Sequence, residues 1–317
     1  MDENCTVLVD GVFDCTHFAH ANCLRRGRQF GNRVVAGIHS DAEIQKHKHC
    51  SPLFFEDERY ELVKNIRYID DTLENLRYDY TLEDIDNYGF DVVAHGEEPV
   101  YSHDGTVLYQ DIIDAGRYRT FRRTDGTSST DIIQKILDNT NSKRERTTSY
   151  SYDVQRPRFF SSFITLLDVH NELWNSGSLQ QLKSDISVTS RTDKRINVYT
   201  QGHFDVFCIG HLKYLQAAAQ LERYSDRWYR FGSRYRFQWF FLPPQFQMEK
   251  AADLADASLI CLSNRKQANI APSAPQFEVK IVDSDSTVTT STIVQLVVDR
   301  KAEFEDRNLK KLSLATG

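Results

Sequence analysis

The sequence predicts an α/β protein with two parallel-sheet domains, the second of them degenerate. Three observations lead there. In the first half, short apolar runs alternate with segments of helical period. The same strand–turn–helix opening occurs twice, at Asp10–His20 and again at Gln201–His211. A long polar stretch separates the two. The boundaries expected are 1–138 for the first domain, 139–194 for a linker with one helix, and 195–317 for the second domain.

The elements follow in order. Thr6 to Val9 is an apolar run that opens the first sheet, and Val34 to Ile38 is a second buried strand. Asp41 to Gln45 is helix-like. Glu56 to Ile66 is a helix with Leu62, Val63 and Ile66 on one face. Thr81 to Tyr88 is another, with Thr81 and Asp84 as a capping box in which Asp replaces the usual Glu. Asp91 to Ala94 is a short strand, and Tyr109 to Ala115 is a helix ended by Gly116. Ile132, Ile133, Ile136 and Leu137 then recur at helical spacing. Phe159 to Trp174 reads as one amphipathic helix inside the linker. Ile196 to Val198 opens the second domain.

Composition narrows the classes. The chain has 317 residues, a formal net charge of -6 and 40% hydrophobic residues. That suits globular folding and gives no bias toward nucleic acid or an anionic membrane. No apolar run is long enough to span a bilayer, and no signal-peptide pattern is present. Six cysteines form no Cys-x-x-Cys pair and read as free thiols of a reducing cytoplasm. No metal-ligand spacing stands out.

Four stretches carry chemistry. A strand that ends in a tight turn and a helix start presents unpaired N–H groups to an anion. In the first copy, Gly11, Val12, Phe13 and Asp14 lead to His17, Ala19 and His20. Histidines add donors that meet charge developing on a phosphoryl oxygen. As a bare His-x-x-His, the pair reads more readily as ordinary turn histidines or a partial metal site. Lys46-His47-Lys48 is a basic cluster, the usual composition of a solvated face. His95-Gly96-Glu97-Glu98 ends a strand, and its carboxylates suit an ammonium group. Arg123 to Asp131 combines an arginine, a bend at Gly126, and the hydroxyls of Thr127, Ser128, Ser129 and Thr130 at a helix start.

Together these stretches resemble the cytidylyltransferase branch of the HxGH nucleotidyltransferases, from about Val7 to Leu137. Arg123–Asp131 resembles that family's R-T-x-G-x-S-T-x-[DE] signature, with Ser129 in place of Thr. Ala19 stands where the family has Gly, and His49 where a Gly follows the phosphate-binding lysine. The resemblance implies two Rossmann-like nucleotidyltransferase domains. It implies His17, His20, Lys48 and Arg123 as catalytic residues. Gly11, Val12, Phe13, Ala19, His95, Gly96, Thr127, Ser128, Ser129 and Thr130 would bind nucleotide, and Asp14, Glu97 and Glu98 the amine substrate. Arg59, in a stretch like the family's E-R-Y, is expected to be structural.

The turn present twice resembles the family members that act on phosphoethanolamine. This implies CTP and phosphoethanolamine as substrates, Mg²⁺ with the CTP, and an intramolecular pseudo-dimer of the two domains. Choline- or glycerol-phosphate cytidylyltransferase, and a nucleotide-binding pseudoenzyme, are the alternatives. In the second copy Cys208 replaces the first histidine, and Ser284–Ile293 resembles the signature without its arginine. Between Leu221 and Val279 the family pattern is missing, and 222–278 reads as drift or as a shifted reading frame.

Overall fold

A computed structural model of the chain describes residues 5–98, 100–101, 107–124, 128–141, 198–200, 204, 206–221, 259–263 and 278–315. The expected helix at Phe159–Trp174, most of the linker, and the unmatched stretch 222–258 lie outside the described residues, as do Asp125, Gly126 and Thr127. Contacts divide the chain into two units. One holds Met1–Tyr152, Val206–Cys208 and Thr290–Gly317, and the other holds Asp153–Asp205 and Ile209–Thr289.

The first unit is built on a five-stranded sheet with every pairing parallel. Its strands are β1 (Thr6–Gly11), β2 (Arg33–Ile38), β3 (Asp71–Glu74), β4 (Val92–Gly96) and β5 (Tyr118–Phe121), in the order β3-β2-β1-β4-β5. Between them run α1 (Phe18–Gly27), α2 (Asp41–Lys48), α3 (Glu56–Lys64), α4 (Leu82–Asn87) and α5 (Gln110–Asp114), and α6 (Ser129–Asn141) follows β5. This is an α/β Rossmann-like fold.

Side chains alternate across the sheet, and helices cover both faces. Val7, Val9, Val34, Ala36 and Ile38 pack with Leu24 of α1 and Val63 of α3. Leu8, Val35 and Val93 pack on the other side with Ile85 of α4 and Ile112 of α5. Gly27 lets α1 lie against the sheet, because a Cβ there would stand 2.6 Å from Cγ2 of Val9. The Thr81–Asp84 capping box is present at α4. Helix α2 runs beyond Gln45 to Lys48 and ends on His49 in the left-handed region, φ 49°. The short polar run after Gln45 hid that last turn.

Strand order reverses between β1 and β4, which are hydrogen-bonded through Val7↔Val92 and Leu8↔Val93. The crevice beyond the C-terminal ends of such a strand pair is where open α/β sheets bind ligands. The Asp10–His20 turn leaves β1 there, and His95-Gly96 ends β4 beside it.

The first unit also contains α8 (Thr290–Asp299) and α9 (Lys301–Ala315), from the far end of the chain. Helix α8 packs on α6, and Asn308 of α9 donates to Gln134 of α6 at 3.0 Å.

The second unit has a parallel three-stranded sheet of β6 (Val198–Thr200), β7 (Leu259–Ser263) and β8 (Glu278–Val282), with α7 (Ile209–Gln220) after β6. Its turn repeats the geometry of the first. Phe13 and Cys15 have φ of 54° and 49°, and the matching Phe204 and Val206 have 49° and 47°. The Phe13–His20 ring pair has centroids 5.4 Å apart at 62°, and the matching Phe204–His211 pair 5.5 Å at 62°. At these described residues the duplication seen in sequence is a duplication of backbone shape. Bulky residues at positive φ are strained, and two successive copies of that strain are unexpected unless the turn shape is kept for a purpose.

Candidate active site

His17 is the N-cap of α1, with an extended backbone. Its Nδ1 accepts from Ala19 N at 3.2 Å, and His20 Nδ1 accepts from His17 N at 3.4 Å. Each imidazole thus spends Nδ1 on capping. A neutral ring with Nδ1 as acceptor carries its proton on Nε2. The rings stack 3.9 Å apart at 26°. Burial lowers the His17 pKa to about 4, with Asp131 opposing. Burial, His17 and Arg123 push that of His20 well down. Both rings are neutral Nε2–H donors at physiological pH. The Nε2–H of His17 meets the Ser129 hydroxyl, and that of His20 is left to offer a hydrogen bond to an anion without the ring first carrying charge.

The signature helix meets this turn directly. Ser129, the first residue of α6, donates from Oγ to the Asp14 carbonyl at 2.6 Å and lies 3.4 Å from His17 Nε2. Ser128 caps the helix, accepting from Asp131 N at 3.1 Å and donating to its carboxylate at 2.8 Å. Thr124, before the helix, accepts from Asn22 of α1 at 2.7 Å. Two helix starts therefore converge on one turn. Thr130 is the second residue of α6, and Thr127 lies outside the described residues.

The remaining expected residues are placed as follows. Arg123 and Glu98 form an ion pair, both exposed. Gly96 passes under Arg123, whose Cγ would stand 3.1 Å from a Cβ at that position. Glu97 is exposed. His95 Nδ1 is buried with no hydrogen-bond partner among the described residues. Lys48 Nζ lies 5.1 Å above the Tyr78 ring. The residue is solvent-accessible, yet crowding around its ammonium lowers the pKa, with Cys50 and Asp10 opposing. The accessible surface is what an incoming phosphate meets, so Lys48 remains a usable cation. Asp14 is buried and its carboxylate is engaged from within: Leu53 N and Phe54 N both donate to it at 3.0 Å.

Arg59 acts as a structural bridge. It is fully buried and donates to the carbonyls of Val12 at 2.6 Å, His39 at 2.9 Å and Phe54 at 3.2 Å, and to the Asp41 carboxylate at 2.8 Å. One guanidinium thus fixes the turn after β1, the end of β2 and the start of α3.

A carboxylate that the motif spacing does not single out is prominent here. Asp10, near the end of β1, accepts from Tyr80 Oη at 3.0 Å and Tyr109 Oη at 3.4 Å, and His39 Nε2 lies 3.3 Å away. Burial works against its charge. The hydrogen bond from His39 and the nearby His95 outweigh that and bring its pKa to about 2. Tyr80 and Tyr109 stack at 4.5 Å. An ionised carboxylate among aromatic rings is the environment an ammonium group needs. The available sequence signal was an acid at the end of an apolar strand, but its tyrosine partners are about 70 to 100 residues away.

Glu43 and His47 of α2 and Asp79 bring one ligand atom each within 4.8 Å of one another. Lys46 Nζ stands 3.9 Å from both carboxylates, so a lysine already balances their charge.

This is a strand–turn–helix opening at the switch point of a parallel sheet, the place where open α/β sheets bind ligands. Residues 8–135 of this chain match the cytidylyltransferase-like family, so the first unit carries a cytidylyltransferase-like domain. The chain's homologues include ethanolamine-phosphate cytidylyltransferases across eukaryotes. The mouse protein of that name is 29% identical over 96% of this chain and 88% of its own length. The Dictyostelium discoideum protein is 33% identical over 69% of this chain and 60% of its own length. The Arabidopsis thaliana protein is 32% identical over 68% and 53%. The chain thus spans most of the mouse relative and little more than half of the other two. Mouse choline-phosphate cytidylyltransferase A is 34% identical, but over only 41% of this chain.

Proposed function

We propose that this chain transfers a cytidylyl group from CTP to phosphoethanolamine. A phosphate oxygen of phosphoethanolamine attacks the α-phosphorus, the bond from that phosphorus to the β-phosphate oxygen breaks, and pyrophosphate leaves with CDP-ethanolamine as the other product. The observation that carries this reading is the pair of neutral histidines at the α1 start, joined to the α6 start through Ser129.

Both reactants are anions, so positioning and positive potential do most of the work. His20 has its Nε2–H uncommitted by the cap, and donates to phosphoryl oxygens as charge gathers there. His17 is held by Ser129 and orients the pair. Lys48 and Arg123 bind the β- and γ-phosphates, with Ser128 to Thr130 and the α6 amides beneath. Gly11, Val12, Phe13 and Ala19 line the turn, and His95-Gly96 lies at the neighbouring strand end. On the amine side, Asp10 adds a buried negative charge from behind, its oxygens taken up by Tyr80, Tyr109 and His39, while Glu97 and Glu98 stand at the end of β4. Asp14 contributes by shaping the turn, since two backbone amides occupy its carboxylate.

Mg²⁺ bound with CTP would neutralise charge on its phosphates. The carboxylate in the turn is engaged by Leu53 and Phe54, so the nucleotide's own oxygens are its natural ligands. The second copy serves as an intramolecular partner. In support, the helix after each copy of the signature, α6 and α8, packs against the other. No described helix is long and apolar enough to cross a membrane, consistent with a cytoplasmic enzyme. The matching test is CDP-alcohol formation with CTP and Mg²⁺, comparing phosphoethanolamine with phosphocholine.

A further inference from the structure

Asn22 is a polar residue buried in the middle of α1. Asparagine is a weak helix former, and a buried amide needs partners at both ends. Here both ends are satisfied, from different elements. Its Oδ1 accepts from Arg25, at 3.0 Å from Nε and 2.7 Å from Nη2. A guanidinium only donates, so this contact fixes which end of the amide is oxygen. Nδ2 is left to donate to Thr124 Oγ1 at 2.7 Å, across 102 positions of sequence.

Thr124 adjoins Arg123, and the chain grips that arginine at three successive residues. The Arg122 carbonyl accepts from Arg26 Nη1. The Arg123 stem runs over Gly96, where a Cβ would stand 3.1 Å from Arg123 Cγ. The Thr124 hydroxyl is held by Asn22. Asn22 and Arg26 are four residues apart and share one side of α1. The Arg123 guanidinium, by contrast, is exposed and paired with the exposed Glu98, a contact that holds it weakly. Backbone and stem are therefore fixed, while the charged end can exchange Glu98 for a phosphate.

Helix α1 also begins at the His17–His20 cap. Two helical residues separate His20 from the grip on 122–124 only by a fraction of a turn, so one rigid element sets the spacing between the His20 ring and the Arg123 segment.

We propose that Asn22 is a positioning residue. Through Thr124 it locks the segment that carries Arg123 to the helix that carries His20, so that both groups meet one nucleotide polyphosphate. This rests on the nucleotidyltransferase reading and adds to it. Asn22 touches no substrate. An arginine loses much conformational freedom on binding, and holding its backbone and stem beforehand lowers that cost. The grip is therefore felt as affinity for CTP.

The test uses the full chain with Asn22→Leu, Thr124→Val and Thr124→Ser, each made again on Arg123→Ala. Calorimetry with Mg²⁺ measures CTP binding, and thermal melting is the control for folding. With Arg123 present, Asn22→Leu and Thr124→Val each weaken CTP binding by about five- to tenfold, the scale of one lost hydrogen bond. Thr124→Ser, which keeps the hydroxyl, stays within about twofold of the parent. On Arg123→Ala the same changes cost less than about twofold, because nothing remains to be positioned. The KM for phosphoethanolamine stays within about twofold throughout. A hydrogen bond that served stability alone would shift the melting temperature without this dependence on Arg123. Equal losses of affinity in both backgrounds, or affinities like the parent's, overturn the proposal, whether or not melting shifts. If Asn22→Leu fails to fold, Thr124→Val and Thr124→Ser decide in the same way. A parent that does not bind CTP overturns it as well. The Arg123-dependent pattern in a chain with no turnover of phosphoethanolamine upholds it and removes only the substrate assignment.

Discussion

The hydroxyl of Ser129 lies 3.4 Å from Nε2 of His17, across 112 positions of sequence. This contact joins the turn after β1 to the helix after β5, the two stretches whose residue types suit phosphate. Ser129 also holds the Asp14 carbonyl at 2.6 Å, so it fixes both the backbone and the ring of the turn. Ser129→Ala is expected to lower kcat/KM for CTP by about tenfold, the scale of one lost hydrogen bond to a positioned group. Ser129→Thr, which keeps the hydroxyl, stays within a few-fold. Steady-state kinetics of the two variants separates the roles of hydroxyl and helix.

His20→Ala and Arg123→Ala each remove a group proposed to meet phosphate charge. Turnover falls by roughly two to three orders of magnitude in each, the usual effect of losing one such donor. Near-normal turnover in both, from folded protein, refutes the assignment of the turn as the reaction centre.

Acid should weaken the fold through His17. Its pKa is about 4 in the folded chain against an ordinary 6.5, because burial disfavours the charged ring. The folded state therefore binds fewer protons than the unfolded chain between these values. Stability is full above about pH 6.5, declines as pH falls toward 4, and levels off below that. The loss approaches about 3 kcal/mol at its limit. Urea midpoints taken at pH 7.5, 6, 5 and 4 check this. His17→Asn, which cannot take up a proton, shows a shallower decline.

Arg59→Ala is expected to destabilise the first unit by about 3–5 kcal/mol, since it strips a buried charge from Asp41 and three carbonyls at once. Denaturant melts read this directly, and a change under about 1 kcal/mol contradicts the bridging role.

The two copies differ in a way that substitution can expose. In the second, a Cβ at Gly210 would stand 2.0 Å from the Val288 carbonyl oxygen, so Gly210→Ala forces the backbone apart and costs about 1–3 kcal/mol. The matching Ala19 of the first copy already carries a Cβ, and Ala19→Gly keeps activity within a few-fold. Hydrogen exchange of α7 measures the first effect and steady-state kinetics the second.

In the first unit β1, β2 and β4 were legible as apolar runs, and helices by caps at fixed offsets, as Thr81 and Asp84 illustrate; β3 (Asp71–Glu74) and β5 (Tyr118–Phe121) mix polar with apolar residues and gave no such signal. The strand–turn–helix shape after β1 was legible too, since its glycine and histidines lie in one short stretch. Asp10 was not, because what gives it significance is the approach of Tyr80 and Tyr109 from distant loops. Arg59 was expected to be structural from its place in the E-R-Y stretch. Its partners, the carbonyls of Val12 and His39, follow only from the sheet order.

The most direct test of the central proposal is product formation by the purified full chain with CTP and Mg²⁺, offered phosphoethanolamine or phosphocholine. The account predicts CDP-ethanolamine and pyrophosphate in equal amounts, with little or no CDP-choline. Folded protein that binds CTP but turns over neither substrate would contradict it and make the chain a nucleotide-binding protein without transfer activity.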